Sequence, residues 1–584
     1  MCGIFGYVGK KNNAAEIVLE GLKRLEYRGY DSWGVVVEDK ACLRVERKAG
    51  KIGEAKVSLP SSHVGLGHTR WATHGGVTVQ NSHPHLDCTE TIALVHNGIV
   101  ENFSELKKEL KEKHRFTSET DTEVIVHLLE DLIQTKNFSE AMREAFKKLI
   151  GLNAVVSLKG NQLVVAKNGS PIVLGFGEGE FFVSSDASAI LPYTKNVAFL
   201  EDNQAAVLDA SGIKVFNLST GVEIEPKTQK LDWEPESAEL GNFPHFMVKE
   251  IYEQPKILEG IIKTSSRQVE ELADFIRSSY GAFLVGCGTA AHAALTGQYL
   301  FSRIAKRHVN FNVGSEFGYL EHFLTPRSLV VALSQSGETI DIIDSIKLAL
   351  EKGAKVASLT NVLGSTLYRM SDYKILLGAG PEKSVCATKS FTAKIALLFL
   401  IASQLSGTGK EGVRILEQTV REIKRLLDKE TVEKIEKLAE KIKDKNHIYI
   451  VGRGLSYPVS MEAALKIKEV SYIHAEGFPG GELKHGVIAL IEPETPCLVF
   501  APNDETYGGI ISGAMEMKAR GGHIIGVSFK DADVFDDWIK VEDTGDGTAI
   551  TNSIVGQLLA YFLAVKRKCD PDKPRNLAKS VTVK

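Results

Sequence analysis

Four sets of residues in this 584-residue chain have the types and spacing to do chemistry. Cys2 directly follows Met1, and removal of that Met would put a thiol and an α-amino group on one residue. An α-amine with a reference pKa of about 7.7–8.0 is partly free base near pH 7, so it can take a proton from the thiol or hand one to departing ammonia. The run Ser334-Gln-Ser-Gly-Glu-Thr339 lies between an apolar stretch and a helical pattern. Hydroxyls and N–H groups at a helix N-terminus bind anions, although the same residues also spell a capping box. Glu462, Lys466 and Glu469, spaced i, i+4 and i+7, share one helix face, either as an exposed charged stripe or as a base beside a cation. Lys579, near the C-terminus, reads by position as a solvated lysine, since an amine attacks a carbonyl only when desolvation lowers its pKa, and His485 sits in a Gly/Pro-rich stretch that by itself reads as a surface turn.

These residues need elements to hold them. The first ~225 residues read as short strands with helices around Glu101–Glu112 and Glu119–Leu132. Residues 226–246, EPKTQKLDWEPESAELGNFPH, have the polar, Pro-containing composition of a connector. Beyond it, apolar runs at Phe283, Leu329 and Val356 alternate with helical patterns, one with apolar positions 342, 346, 349 and 350 that stops at Gly353. That alternation is the βαβ signature of a parallel sheet. Leu284-Val-Gly-Cys-Gly and Ile450-Val-Gly-Arg-Gly repeat the same punctuation, and the next strands end at Ser334 and Ala501 with nearly the same offset, which predicts a duplicated domain. Gly286-Cys-Gly-Thr-Ala-Ala291 also fits a dinucleotide-binding turn, but no further cofactor signature accompanies it.

Composition narrows the partners. Hydrophobic residues make up 43% of the chain and charged residues 25%, with a net charge of −4 and no basic cluster interleaved with aromatics, so the expected partner is a small molecule rather than nucleic acid. The longest apolar run, Ile395 to Ala402, is short of the ~18 residues of a membrane span, and no secretory signal is recognised, so no membrane association and a cytoplasmic location are expected. Seven cysteines without CxxC or Cys/His ligand spacing predict neither a disulfide framework nor a zinc site, and no metal or organic cofactor is expected.

Met1-Cys-Gly-Ile-Phe-Gly-Tyr, Gly67-His-Thr-Arg-Trp-Ala-Thr-His-Gly-Gly, Asn81-Ser-His-Pro-His, His96-Asn-Gly and Thr120-Asp-Thr-Glu together resemble the glutaminase domain of the N-terminal-nucleophile (class II) amidotransferases. The resemblance implies an αββα sandwich in which Cys2 attacks a glutamine side-chain amide and Asn97 with the Gly98 N–H forms the oxyanion hole. It also implies that Arg70 grips the glutamine carboxylate, that Asp121 holds the ammonium, that Thr73, His74 and Gly98 complete the pocket, and that Trp71 gates an ammonia path.

The rest of the chain resembles a pair of sugar isomerase (SIS) domains, and the whole, with its tail NLAKSVTVK, resembles the family of isomerizing amidotransferases that aminate a ketose phosphate. The implied organisation is α/β throughout: glutaminase 2–225, linker 226–246, SIS domains 247–425 and 426–570 with parallel sheets, and a catalytic tail 571–584. By position, Thr289, Ser334, Gln335, Ser336 and Thr339 would bind the sugar phosphate, with Lys466, Val385 and Ala578 at the sugar site. Lys579 would form a Schiff base, Glu469 would move a proton between carbons 1 and 2, and His485, supplied across a homodimer, would open the ring. The implied substrates are glutamine and fructose 6-phosphate. Ala290 stands where many members of the family have Ser, which predicts at most a weaker phosphate contact, and the linker lacks the long insertion of eukaryotic members, so nucleotide-sugar feedback is not expected. The rivals are a glutaminase with another acceptor, a phosphosugar-binding regulator and an isomerase with a vestigial glutaminase.

Overall fold

A computed structural model describes residues 2–40, 42–231 and 239–581. The chain forms two compact units, Met1–Glu239 with Ala578–Lys584, and Leu240–Leu577.

The first unit is built on two antiparallel sheets. One has eight strands in the order Thr228–Lys230, Asn196–Phe199, Val173–Phe176, Glu180–Ser184, Gly3–Gly9, Val64–Arg70, Ser32–Asp39, Cys42–Ala49. The other runs Glu223–Ile224, Gly212–Asn217, Gln204–Asp209, Gln162–Asn168, Asn153–Lys159, Ala93–Gly98, His85–Leu86. Their inner faces interdigitate through Ile4, Leu66, Val95, Val156 and Val183, the alternation expected of face-to-face sheets. Helix Ala14–Leu25 packs on Gly3–Gly9 and Val64–Arg70, while Glu123–Leu132 and Phe138–Lys147 cover the second sheet. The layers are therefore α, β, β, α.

The two expected helices run Phe103–Leu110 and Glu123–Leu132. The second starts later because residues 117–122 turn: the Glu123 carboxylate accepts the backbone N–H groups of Thr117 (2.7 Å) and Ser118 (2.8 Å). Ala14–Leu25 and Phe138–Lys147 are helices the reading did not single out. In the connector, Thr228–Lys230 pairs with Asn196–Phe199 as an edge strand, and 232–238 lie outside the described residues.

The second unit holds two five-stranded parallel sheets. The first orders its strands Asn310–Val313, Gly281–Gly286, Ser328–Ser334, Lys355–Thr360, Tyr373–Leu376, and the second His474–Pro479, His447–Gly452, Pro496–Ala501, His523–Ser528, Asp537–Lys540. Both follow the order 2-1-3-4-5, whose switch point lies where strands 1 and 3 end side by side and ligands bind beyond their carboxyl ends. One continuous apolar core joins the two domains through helices Phe246–Thr264, Lys389–Leu405, Ser456–Ser471 and Thr548–Lys566. The stretch Gly545–Lys566 is long and apolar enough to cross a membrane, but 89% of its most apolar window is buried inside the protein.

Candidate functional site

In the first unit, strand pairing assembles the pocket. Gly3 opposes Thr69 in the antiparallel pair, so Cys2 falls beside the end of the strand that carries Arg70. The Trp71 N–H donates to the Cys2 Sγ at 3.2 Å. Burial pushes the Cys2 thiol up, with the Trp71 N–H opposing it.

Asn97 and Gly98 end a strand of the facing sheet. The Asn97 Nδ2 donates to the Cys2 carbonyl at 3.1 Å, while its Oδ1 lies 3.1 Å from His68 Nε2. That Nε2 also faces the His96 carbonyl at 3.1 Å. Two acceptors require a proton on Nε2, and the hydrogen bond from His68 then aims the Asn97 amide nitrogen at Cys2. Gly98 has φ +139°, and a Cβ there would meet the Leu152 carbonyl at 2.2 Å; only glycine lets the strand bend there.

Arg70 is buried, and its guanidinium donates to the carbonyls of Gly76 (3.0 Å), Gly75 (3.2 Å) and His74, tying down the loop that carries exposed Thr73 and half-buried His74. The His74 ring stands edge-on to Phe103 at 5.1 Å, and Trp71 edge-on to Tyr30 at 5.6 Å. Asp121 is buried and accepts the Val100 N–H at 2.7 Å. Two residues the sequence reading missed hold the surroundings of Cys2. They are His68, as above, and Arg28, whose Nε donates to the Cys2 carbonyl at 3.3 Å while its Nη1 pairs with Asp186 at 3.2 Å. His68 sits two residues before Arg70 in the motif already singled out; for Arg28 the local sequence carries no comparable signal.

In the second unit the predicted hydroxyl residues gather at the first domain's switch point. The Ser334 hydroxyl accepts the Gly337 N–H at 2.9 Å, and Ser336 accepts that of Glu338 at 3.1 Å. Gly337 has φ +67°, and a Cβ there would lie 2.0 Å from the Ser365 hydroxyl. Thr339 stands at the N-cap position of helix Ile340–Glu351 without a side-chain capping hydrogen bond, and half-buried Gln335 lies on the same loop. Thr289 begins helix Thr289–Leu300 at the neighbouring strand end, and Ala290 packs into the apolar core.

The charged face at 462–469 is not an exposed stripe. Glu462 and Lys466 are buried, Glu469 half-buried, because helix Ser456–Ser471 of the second domain packs on helix Thr289–Leu300 of the first. The Lys466 ammonium donates to Glu469 (2.5 Å) and Thr289 Oγ1 (3.0 Å) and lies 3.5 Å from Glu462. The Thr289 hydroxyl in turn donates to Glu462 at 3.1 Å, and His292 Nδ1 pairs with the same carboxylate at 2.7 Å. Burial works to depress the Lys466 ammonium, but Glu469 and Glu462 outweigh it and hold the group charged.

Val385 is buried, its N–H donating to the Asp572 carbonyl at 2.9 Å, so the tail's first residues run along 384–385. His485 is exposed on the turn Glu482–His485 and, among the described residues, takes no part in the Thr289–Glu462–Lys466–Glu469 network. Ala578 and Lys579 belong to the first unit.

Two domain families match: a glutamine amidotransferase domain over residues 68–192, and the SIS domain twice, over 275–403 and 441–567. The fold and the site thus define a glutaminase joined to tandem SIS domains. Over the full length of both chains, this one is 44% identical to a glutamine–fructose-6-phosphate aminotransferase (isomerizing) of Thermococcus kodakarensis, and 42% identical to those of Pyrococcus horikoshii and Thermus thermophilus. The chain belongs to the glutamine–fructose-6-phosphate aminotransferase (isomerizing) family. The C-terminal domain of glucosamine-fructose-6-phosphate aminotransferase from Francisella tularensis superposes with a TM-score of 0.54 at 31% identity, covering 57% of this chain and all of that one.

Proposed function

We propose that the chain converts D-fructose 6-phosphate and L-glutamine to D-glucosamine 6-phosphate and L-glutamate, the entry to hexosamine synthesis. The observation that carries this reading is the buried Thr289–Glu462–Lys466–Glu469 network, which lies beside a hydroxyl loop in a chain that also carries a Cys2–Asn97 pair.

In this reading the Cys2 thiol attacks the glutamine amide, its proton leaving on the ammonia. Asn97 Nδ2 and the Gly98 N–H hold the oxyanion, and preorganised donors of that kind are worth about 2.7–4 kcal/mol each. Arg70 and Asp121 fix the two ends of the amino acid, with Thr73 and His74 closing over it. Ammonia passes internally, gated by Trp71. Thr289, Ser334, Gln335, Ser336 and Thr339 hold the phosphate, while Val385 and Ala578 line the sugar. Lys579 forms the Schiff base, and Glu469, paired with Lys466, shuttles the proton between carbons 1 and 2. The proposed assembly is a cytoplasmic homodimer in which His485 of the partner subunit opens the ring.

The test is mass spectrometry after incubation with fructose 6-phosphate and glutamine labelled with heavy nitrogen in the side-chain amide. Labelled glucosamine 6-phosphate is expected; glutamate without amino sugar would overturn the acceptor. Cys2→Ala should abolish glutamine use yet spare sugar isomerisation, and Lys579→Ala should leave uncoupled glutaminase. Mixing inactive His485→Ala and Lys579→Ala chains should restore activity if the histidine crosses between subunits.

A further inference from the structure

Away from the pocket, the first unit gathers Cys88, His114, His127 and Glu130, four side chains whose ligand atoms all lie within 4.8 Å of one another. Their linear spacing matches no Cys/His zinc pattern, so the sequence reading passed over them. Three separate segments bring them together. Cys88 sits on a turn fixed by Asp87, whose Oδ1 accepts the N–H groups of Thr91 and Ile92 at 2.7 Å each. His114 follows helix Phe103–Leu110, and His127 and Glu130 are one turn apart on helix Glu123–Leu132.

Cys88 Sγ lies 3.6 Å from His114 Nδ1 and 3.8 Å from His127 Nδ1. Zinc bond lengths of about 2.0–2.1 Å to nitrogen and 2.3 Å to sulfur put tetrahedral N···S edges at about 3.5 Å. Glu130 Oε2 lies 2.9 Å from His114 Nδ1 and 3.0 Å from His127 Nδ1, edges that would open by about half an ångström around the same ion. The two rings stack at 27° with centroids 4.8 Å apart, and each presents its Nδ1 to Cys88 and Glu130. The Cys88 sulfur also accepts the Arg115 N–H at 3.4 Å.

His114 also has an outer partner. Its Nδ1 faces Glu130 at 2.9 Å and its Nε2 faces Asp131 Oδ1 at 3.0 Å. A carboxylate on the ring nitrogen that points away from the centre is the usual outer partner of a metal-bound histidine.

We propose that Cys88, His114, His127 and Glu130 form a closed, structural site for a divalent zinc-class cation. One thiolate, one carboxylate and two neutral imidazoles balance its two charges, and the thiolate–imidazole set favours zinc over magnesium or calcium. The metal would rivet the Cys88 turn to the helix whose N-terminal side carries Asp121.

The test uses full-length Cys2→Ala protein, which removes the nucleophilic thiol as a competing ligand, stripped with chelator and then titrated with Zn2+ or Co2+. About one equivalent of Zn2+ should bind, and Co2+ should give a thiolate-to-metal charge-transfer band with tetrahedral ligand-field bands. Adding Cys88→Ser should abolish the charge-transfer band, and adding Cys88→Ser or His127→Gln should weaken Zn2+ binding by at least about tenfold. Cys88 is exposed, so circular dichroism of its Ser variant should match that of the parent and show that the fold is intact. Zn2+ should raise the melting temperature of the parent and not that of the Ser variant. Absent binding, or equal binding by parent and Ser variant, overturns the site.

Discussion

The two SIS domains share a sheet and divide a chemistry. Both order their strands 2-1-3-4-5, and both turn out of strand 1 through a glycine that leaves no room for a Cβ: at Gly286 one would sit 2.5 Å from the Ala290 carbonyl carbon, and at Gly452 2.1 Å from the Ser456 carbonyl oxygen. Even the next glycines agree, Gly288 at φ +53° and Gly454 at φ +54°. Beyond these turns they part. The first domain places Ser334, Ser336 and Thr339 at the switch point; the second has Ala501-Pro-Asn-Asp-Glu-Thr506, where Asp504 only accepts the Thr506 N–H and hydroxyl at 2.8 and 2.6 Å. In exchange, the second domain's helix Ser456–Ser471 presses Glu462 and Lys466 onto the first domain's Thr289, with Glu469 held by Lys466. Duplication preserved the backbone turn, and side chains then placed hydroxyls on one copy and charged groups on the other.

This division breaks most visibly at Glu469. Glu469→Gln should lower amino-sugar formation by about 10²–10⁴ with glutaminase activity retained, measured by product and glutamate assays in parallel. Lys466→Met strands buried Glu462 beside Glu469 and should cost about 3–5 kcal/mol of stability, read as a fall in denaturant midpoint.

Gly337→Ala forces a left-handed φ and a clash with Ser365, so the fructose 6-phosphate KM should rise about tenfold or more, a change of at least ~1.4 kcal/mol, while the glutamine KM stays fixed. Acid should separate the two units. Burial lowers the pKa of His68 to about 3 and pushes His83, His85 and His96 down as well, all in the first unit. A histidine with a depressed folded pKa stabilises the fold above its unfolded value of about 6.5, and that contribution drains as pH falls toward the folded pKa, by up to about 1.4 kcal/mol per pH unit per group. Urea midpoints from pH 7 to pH 5 should therefore fall for the first unit before the second. The smallest effect belongs to the second domain's silent loop: Asp504→Ala should cost about 1 kcal/mol or less and leave both KM values unchanged.

Much of this was legible in the residues. Short strands, βαβ alternation and the repeated Gly-x-Gly turns gave the class and the duplication, since those patterns are local consequences of which face is buried. Cys2, Arg70, Asn97-Gly98 and the Ser334–Thr339 loop stood out because their motifs are contiguous. What lay beyond reach depended on partners far away in the chain. Nothing local says that Lys466 is buried; that follows from helix Ser456–Ser471 meeting helix Thr289–Leu300, which turns an apparent solvent stripe into a desolvated cluster. The same holds for His68 aiming Asn97 and for Arg28 holding the Cys2 carbonyl.

By itself, the sequence determined the element types, the tandem organisation and the reactive groups, because turns, periodicity and side-chain chemistry are encoded within a few residues of one another. Only the tertiary structure decided which charges are buried, which carbonyls and amides face the nucleophile, and that Cys88, His114, His127 and Glu130 meet, because burial and electrostatics are set by groups that the fold, not the order of residues, makes neighbours.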